Sequence, residues 1–136
     1  MPPRNRKPAS PRATDDRLSA DTPVPSTLSP EGAEEWHGLI ATLAELGTAR
    51  AADLRAVELL CEVLADEKTL RETIRREGLT IPGADGNQKT HPAAKLLEST
   101  RNQAHRLMAD FGLTPKGRVQ VKAQPKASKN PFDDLF

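Results

Sequence analysis

Twelve prolines decide where this 136-residue chain can build helices, and they sit almost entirely outside its middle. A proline inside a helix removes a backbone donor and clashes with the preceding turn. Six of the twelve fall in residues 1–28, among serines and threonines and with almost no large apolar group. Such a segment cannot bury enough surface to offset the entropy of ordering it. It is expected to be a disordered basic arm that carries Arg4, Arg6, Lys7, Arg12 and Arg17.

The proline-poor interior reads as helix. Ser29 is a suitable N-cap, and Pro30 is tolerated at the first helical position, where its missing N–H needs no partner. Ala33, Trp36, Leu39, Ile40, Leu43 and Leu46 recur at three- and four-residue steps, which predicts one apolar stripe from Pro30 to Leu46. Gly47 is a good stop. A second, unusually long helix is expected from Ala51 to Glu77. At 100° per residue, Leu54, Val57, Leu60, Cys61 and Leu64 share one side, whereas Leu59, Val63, Leu70 and Ile74 centre well away from them. A helix with two apolar flanks has two packing partners. One can be the first helix, and the other is either another part of the chain or a second subunit.

Residues 78–91, GLTIPGADGNQKTH, carry a turn signal at Asp85-Gly86 and predict a small hairpin or ordered loop. A third helix is expected from Pro92 to Phe111. Its apolar positions Ala93, Leu97, Ala104, Leu107 and Phe111, with Thr100 among them, make a narrow seam of the coiled-coil type. Gly112 ends it, and Thr114-Pro115 suit one further short turn. Residues 119–136 lack periodicity. Lys116, Arg118, Lys122, Lys126 and Lys129 form a basic run, and the chain closes with NPFDDLF. Phe132, Leu135 and Phe136 gain nothing by exposure on a free tail, so the motif reads as a docking segment or as a terminus tucked onto its own domain.

The net charge of +1 conceals a polarised layout, because residues 29–77 are strongly acidic while both ends are basic. Basic ends around an acidic centre point to polyanion contact or to solubilising tails. No catalytic constellation emerges. His37, His91 and His105 lie on separate elements, and no metalloprotease, phosphate-loop or nucleophile-elbow motif occurs. Cys61 stands alone in an apolar run, as a buried small hydrophobe would. The chain therefore reads as a non-enzyme with no metal and no cofactor. No apolar stretch approaches the roughly 18–20 residues of a membrane span, and the basic N-terminus lacks an apolar signal core. A cytosolic protein is expected.

The order of signals resembles the small terminase subunits of tailed double-stranded DNA bacteriophages. The pieces are LSPEGAEEW at 28–36, ELG at 45–47, ADLRAVELLC at 52–61, EGLT at 77–80, GN at 86–87, HPA at 91–93 and FGLTP at 111–115. They cover residues 28–118. The sequence departs from the pattern at His91, where the family often has Asn, and at Lys116-Gly117-Arg118, where Ser-Ser-Arg is common. The resemblance implies a non-catalytic DNA-recognition adaptor that assembles into a ring. It implies binding of double-stranded viral DNA and its presentation to the large terminase subunit, the ATPase and nuclease, in the host bacterial cytoplasm.

The expected architecture is all-α. A helical domain of three main helices at 29–118 lies between the disordered arm, 1–28, and a flexible tail, 119–136, and assembles into a ring-like homo-oligomer. DNA contacts are expected from Arg4, Arg6, Lys7, Arg12, Arg17, Lys116, Arg118 and Lys122, with Arg50, Arg55, Arg101 and Arg106 as alternatives on the core. Subunit contacts are expected from Leu59, Val63, Leu70, Ile74, Leu97, Ala104 and Leu107. Large-subunit docking is expected from Phe132, Leu135 and Phe136. The competing assignment is a helix-turn-helix transcriptional regulator that reads bases through the polar side of the third helix.

Overall fold

The computed structural model describes residues 15–123. Their order is α1 (Pro30–Leu46), a 3₁₀ turn (Ala51–Asp53), α2 (Leu54–Glu77), β1 (Thr80–Pro82), β2 (Gln88–Thr90), α3 (Pro92–Asp110) and α4 (Pro115–Ala123). The helical expectation holds, with a two-stranded antiparallel hairpin between α2 and α3.

Local chemistry sets the bounds of α1. Ser29 is extended, and its Oγ accepts from the Gly32 N–H at 3.0 Å. Gly47 closes the helix at φ 64°, donating its N–H to the Leu43 carbonyl, a left-handed stop that favours glycine. Trp36, Ile40 and Leu43 form the buried stripe. The second helix begins three residues later than expected. Asp53 folds back so that its carboxylate accepts from the Arg50 N–H at 2.9 Å, which tightens residues 51–53 into the 3₁₀ turn. At the tip of the hairpin Gly86 has φ 81°, and the Asp85 carboxylate accepts from the Asn87 N–H at 3.1 Å.

Helix α2 lies between α1 and α3. Its front half buries Val57, Leu60 and Cys61 completely, in a cluster with Leu18, Trp36, Ile40, Leu43, Ala49 and Phe111. Full burial of such a side chain is worth about 1.5–3 kcal/mol. Its rear half packs on α3 through a second cluster of Ile74, Ala93 and Leu97, with Leu70 and Ala94 against it. The rear of the second flank, Leu70 and Ile74, thus has its partner in the same chain, whereas Leu59 at its front is exposed.

Two boundaries differ from the sequence reading. Residues 15–28, assigned to the disordered arm, are packed on the helices. Leu18 is buried in the main cluster and Leu28 lies against it. An isolated antiparallel bridge pairs Arg17 with Arg50, with Leu18 N–H donating to the Ala49 carbonyl at 2.9 Å and Ala51 N–H to the Asp16 carbonyl at 2.7 Å. Leu18, the backbone bridge, Leu28 and a hydrogen bond donated by the Thr27 hydroxyl to Glu58 at 3.0 Å together anchor a segment that composition alone marks as unfoldable. At the other end, residues 119–123 extend the expected single turn into α4. Thr114 caps it, its Oγ1 accepting from Gly117 N–H at 2.9 Å. The remainder of the arm and of the tail, and with them Arg4, Arg6, Lys7, Arg12, Phe132, Leu135 and Phe136, lies outside the described residues.

Candidate nucleic-acid and assembly surfaces

His91 and Gly117 each shape a helix junction. His91 caps α3: its Nδ1 accepts from the Ala93 N–H at 3.0 Å, and its Nε2 faces Glu77 Oε2 at 3.0 Å. Accepting through Nδ1 requires the neutral ring to carry its proton on Nε2, which then donates to Glu77. The imidazole therefore caps α3 as an Asn side chain would, and adds a tie to the end of α2. Gly117 lets α4 close onto α3. A side chain there would collide with the Ala109 carbonyl oxygen and would lie 2.8 Å from Thr114 Oγ1.

That close approach fixes the basic helix. Lys116 and Arg118 are exposed on α4, beside the last turn of α3. Lys122 lies one turn further along the same helix, its side chain outside the described atoms. Arg17 is held differently. Its Nε and Nη2 each meet an Asp15 carboxylate oxygen at 3.0 Å, and the guanidinium holds the Asp15 carboxyl below its ordinary range. Arg50 meets Asp16 at 2.6 Å and Arg101 meets Glu67 at 3.1 Å. A phosphate must compete with a carboxylate for these three, whereas Lys116, Arg118 and Arg106 have no ion pair among the described residues.

The residues expected at subunit contacts divide sharply. Val63, Ile74, Leu97 and Ala104 are buried within the chain, Ile74 and Leu97 of them in the α2–α3 cluster, and Leu70 is half-buried there. Leu59, 55% exposed, and the half-buried Leu107 instead line an open groove of 320 Å³ with Val63, Gln103, Arg106 and Asp110. Sequence reasoning missed Leu79 and Leu96, which are 66% and 59% exposed at the hairpin end of the bundle, and Val119 on α4, 68% exposed. Periodicity identifies apolar positions that share a face, and these three fall outside every stripe.

Among the described residues no group of three or more His, Cys, Asp and Glu could hold a metal ion. His37 and His105 are exposed. Burial, with the nearby carboxylates of Glu35, Glu62 and Glu58, pushes the Cys61 thiol up to about 12, so it is held as the neutral thiol and not as a nucleophilic thiolate. No described helix is long and apolar enough to cross a membrane. A helix-turn-helix needs a tight turn before its recognition helix, and here a β-hairpin intervenes between α2 and α3.

No curated protein and no solved structure matches the chain. A family model described as phage terminase, small subunit, matches residues 32–128. The matched span runs from the first turn of α1 through the whole of α4, taking in both core clusters except Leu18 and both glycine-dependent junctions at Gly47 and Gly117. The chain belongs to the phage terminase small subunit family.

Proposed function

We propose that the chain recognises double-stranded viral DNA as a homo-oligomeric ring and presents it to the large terminase subunit. In this reading it performs no chemistry, needs no cofactor and acts in the host bacterial cytoplasm. The family match across the helical core carries the proposal. The charge layout supports it, since both ends are basic around an acidic centre.

Arg4, Arg6, Lys7 and Arg12 of the arm, with Lys116, Arg118 and Lys122 of α4, would supply phosphate contacts, and Arg17 would join them only by leaving Asp15. Phosphate contacts give affinity and position without base readout. A ring multiplies them, because each bound subunit raises the local concentration of the next contact. Leu79, Leu96 and Val119, among the exposed apolar groups of the described residues, would meet neighbouring subunits. Phe132, Leu135 and Phe136 of the tail would engage the large subunit.

The test is duplex binding by the full chain across a salt series. A log–log slope of about −0.9 is expected per phosphate neutralised, and the slope should shrink when residues 1–14 are removed. That truncation spares the Leu18 anchor. An affinity indifferent to salt would overturn the electrostatic account. Deleting residues 130–136 should abolish capture of the large subunit, and undiminished capture would remove the tail from the proposal.

A further inference from the structure

We propose that the groove between α2 and α3 is a docking site for the chain's own C-terminal segment, NPFDDLF. The groove is apolar on its floor, with Leu59, Val63 and Leu107, and polar on its rim, with Gln103, Arg106 and Asp110. Leu59 is the only groove leucine that projects far into solvent, at 55% exposure, and nothing in α1, α3 or the hairpin covers it. A groove with an exposed leucine over an apolar floor gains stability from any large apolar side chain that fills it.

The segment has matching chemistry. It offers Phe132, Leu135 and Phe136 to the floor, and Asp133 and Asp134 between them. Arg106 on the rim, with no ion pair among the described residues, suits the two acids, and Arg55, one turn before Leu59 on the same helix, would join it only by leaving Glu58, 3.9 Å away. Lys129, just before the motif, suits Asp110 on the rim. Reach is ample. Helix α4 starts against Ala109, within one turn of Leu107, and the nine residues from Gln124 to Phe132 span up to about 30 Å when extended. A segment tethered this closely meets the groove at a high effective concentration, so a weak intrinsic affinity suffices.

The inference rests on reading the tail as a docking segment, but not on its reaching the large subunit. Docking in the groove would keep three large apolar groups covered while no large subunit is present, and the large subunit would then compete with the groove for them.

The test uses the full chain with isotope-labelled methyl groups and no large subunit. Replacing Phe132, Leu135 and Phe136 by alanine should shift the methyl signals of Leu59, Val63 and Leu107 and leave Val57 and Leu60 unmoved. Adding a synthetic peptide of residues 129–136 to that variant should return them. In the same background Leu59→Glu should weaken peptide binding about tenfold or more; Leu59 is exposed, so the fold is retained and a thermal melt checks it. Groove signals that ignore both the substitutions and the peptide would overturn the proposal. So would groove signals that depend on protein concentration and not on the tail, because a second copy would then be the occupant. Intermolecular contacts between a labelled tail and an unlabelled groove in mixed samples would overturn the assignment to the chain's own tail.

Discussion

Replacing Glu62 by alanine should cost the fold far more than its place on a helix surface suggests. Glu62 projects from α2 to the start of α1, where Oε1 accepts from the Ser29 N–H at 2.7 Å and Oε2 accepts from the Ser29 hydroxyl at 2.9 Å. The Ser29 Oγ in turn accepts from the Gly32 N–H at 3.0 Å. One carboxylate thus orients the capping hydroxyl and sits at the positive end of the α1 dipole. Hydrogen bonds to a charged group contribute about 1.5–3 kcal/mol each, and the dipole adds about 0.3–1 kcal/mol. The site is only partly buried and the bonds share one residue, so about 2–3 kcal/mol in total is expected for Glu62→Ala. For a domain of this size that lowers Tm by about 10–20 °C. Helicity and the emission of Trp36, buried in the core, would follow unfolding at fixed protein concentration, since an oligomer's Tm depends on it. Gly32 sharpens the test. A Cβ there would collide with the Glu62 carboxylate, so Gly32→Ala should destabilise the native chain. In the Glu62→Ala background the carboxylate clash is gone and only a 3.2 Å approach to Ser29 Oγ remains, so the cost should vanish or become a gain of up to about 0.5–1 kcal/mol, alanine's advantage over glycine within a helix. Equal effects of Gly32→Ala in both backgrounds, or a Glu62→Ala cost below about 0.5 kcal/mol, would refute this reading of the cap.

Three further outcomes are expected. His91→Ala should cost about 0.5–2 kcal/mol through loss of the α3 cap, and His91→Asn should restore most of it in denaturant titrations; equal losses would mean the cap is not what His91 supplies. Gly117→Val should cost about 1–3 kcal/mol through overpacking against Ala109 and speed hydrogen exchange in α4, whereas native exchange rates would show that the close approach is dispensable. Cys61 should resist aromatic disulfide reagents at pH 8 until the chain unfolds. Its thiol stands at about 12 in the folded chain against an ordinary 9.0. Its contribution to stability is therefore complete below about pH 9 and is lost as pH rises toward 12. Stability that stays flat across that window would contradict the burial.

Much of the fold is legible because its signals are local. Ser29, Pro30 and Gly47 mark the ends of α1 within a few residues of one another, and Asp85-Gly86 marks the hairpin. The misreadings involve contacts distant in sequence. The backbone of residues 16–18 pairs with residues 49–51, and nothing local to Leu18 announces that bridge. Helix α4 is short and weakly amphipathic, so the Thr114 cap is visible while the helix is not. The two flanks of α2 were legible, but periodicity cannot tell a partner in the same chain from one in a neighbour. Ile74 packs on α3 and the buried Val63 lines the groove between α2 and α3, which leaves the exposed Leu59 as the larger surprise. Glu62 shows the same limit: a charged residue on a helix reads as solvated, and only the tertiary fold brings it to the Ser29 cap.

The most direct test of an adaptor that assembles on viral DNA is the native mass of the full-length protein, measured at micromolar concentration with and without a phage duplex. A closed multi-subunit species that takes up duplex at low salt and releases it as salt rises is the expected result. A monomer whose mass is unchanged by duplex at any salt would contradict both the assembly and the DNA-binding role.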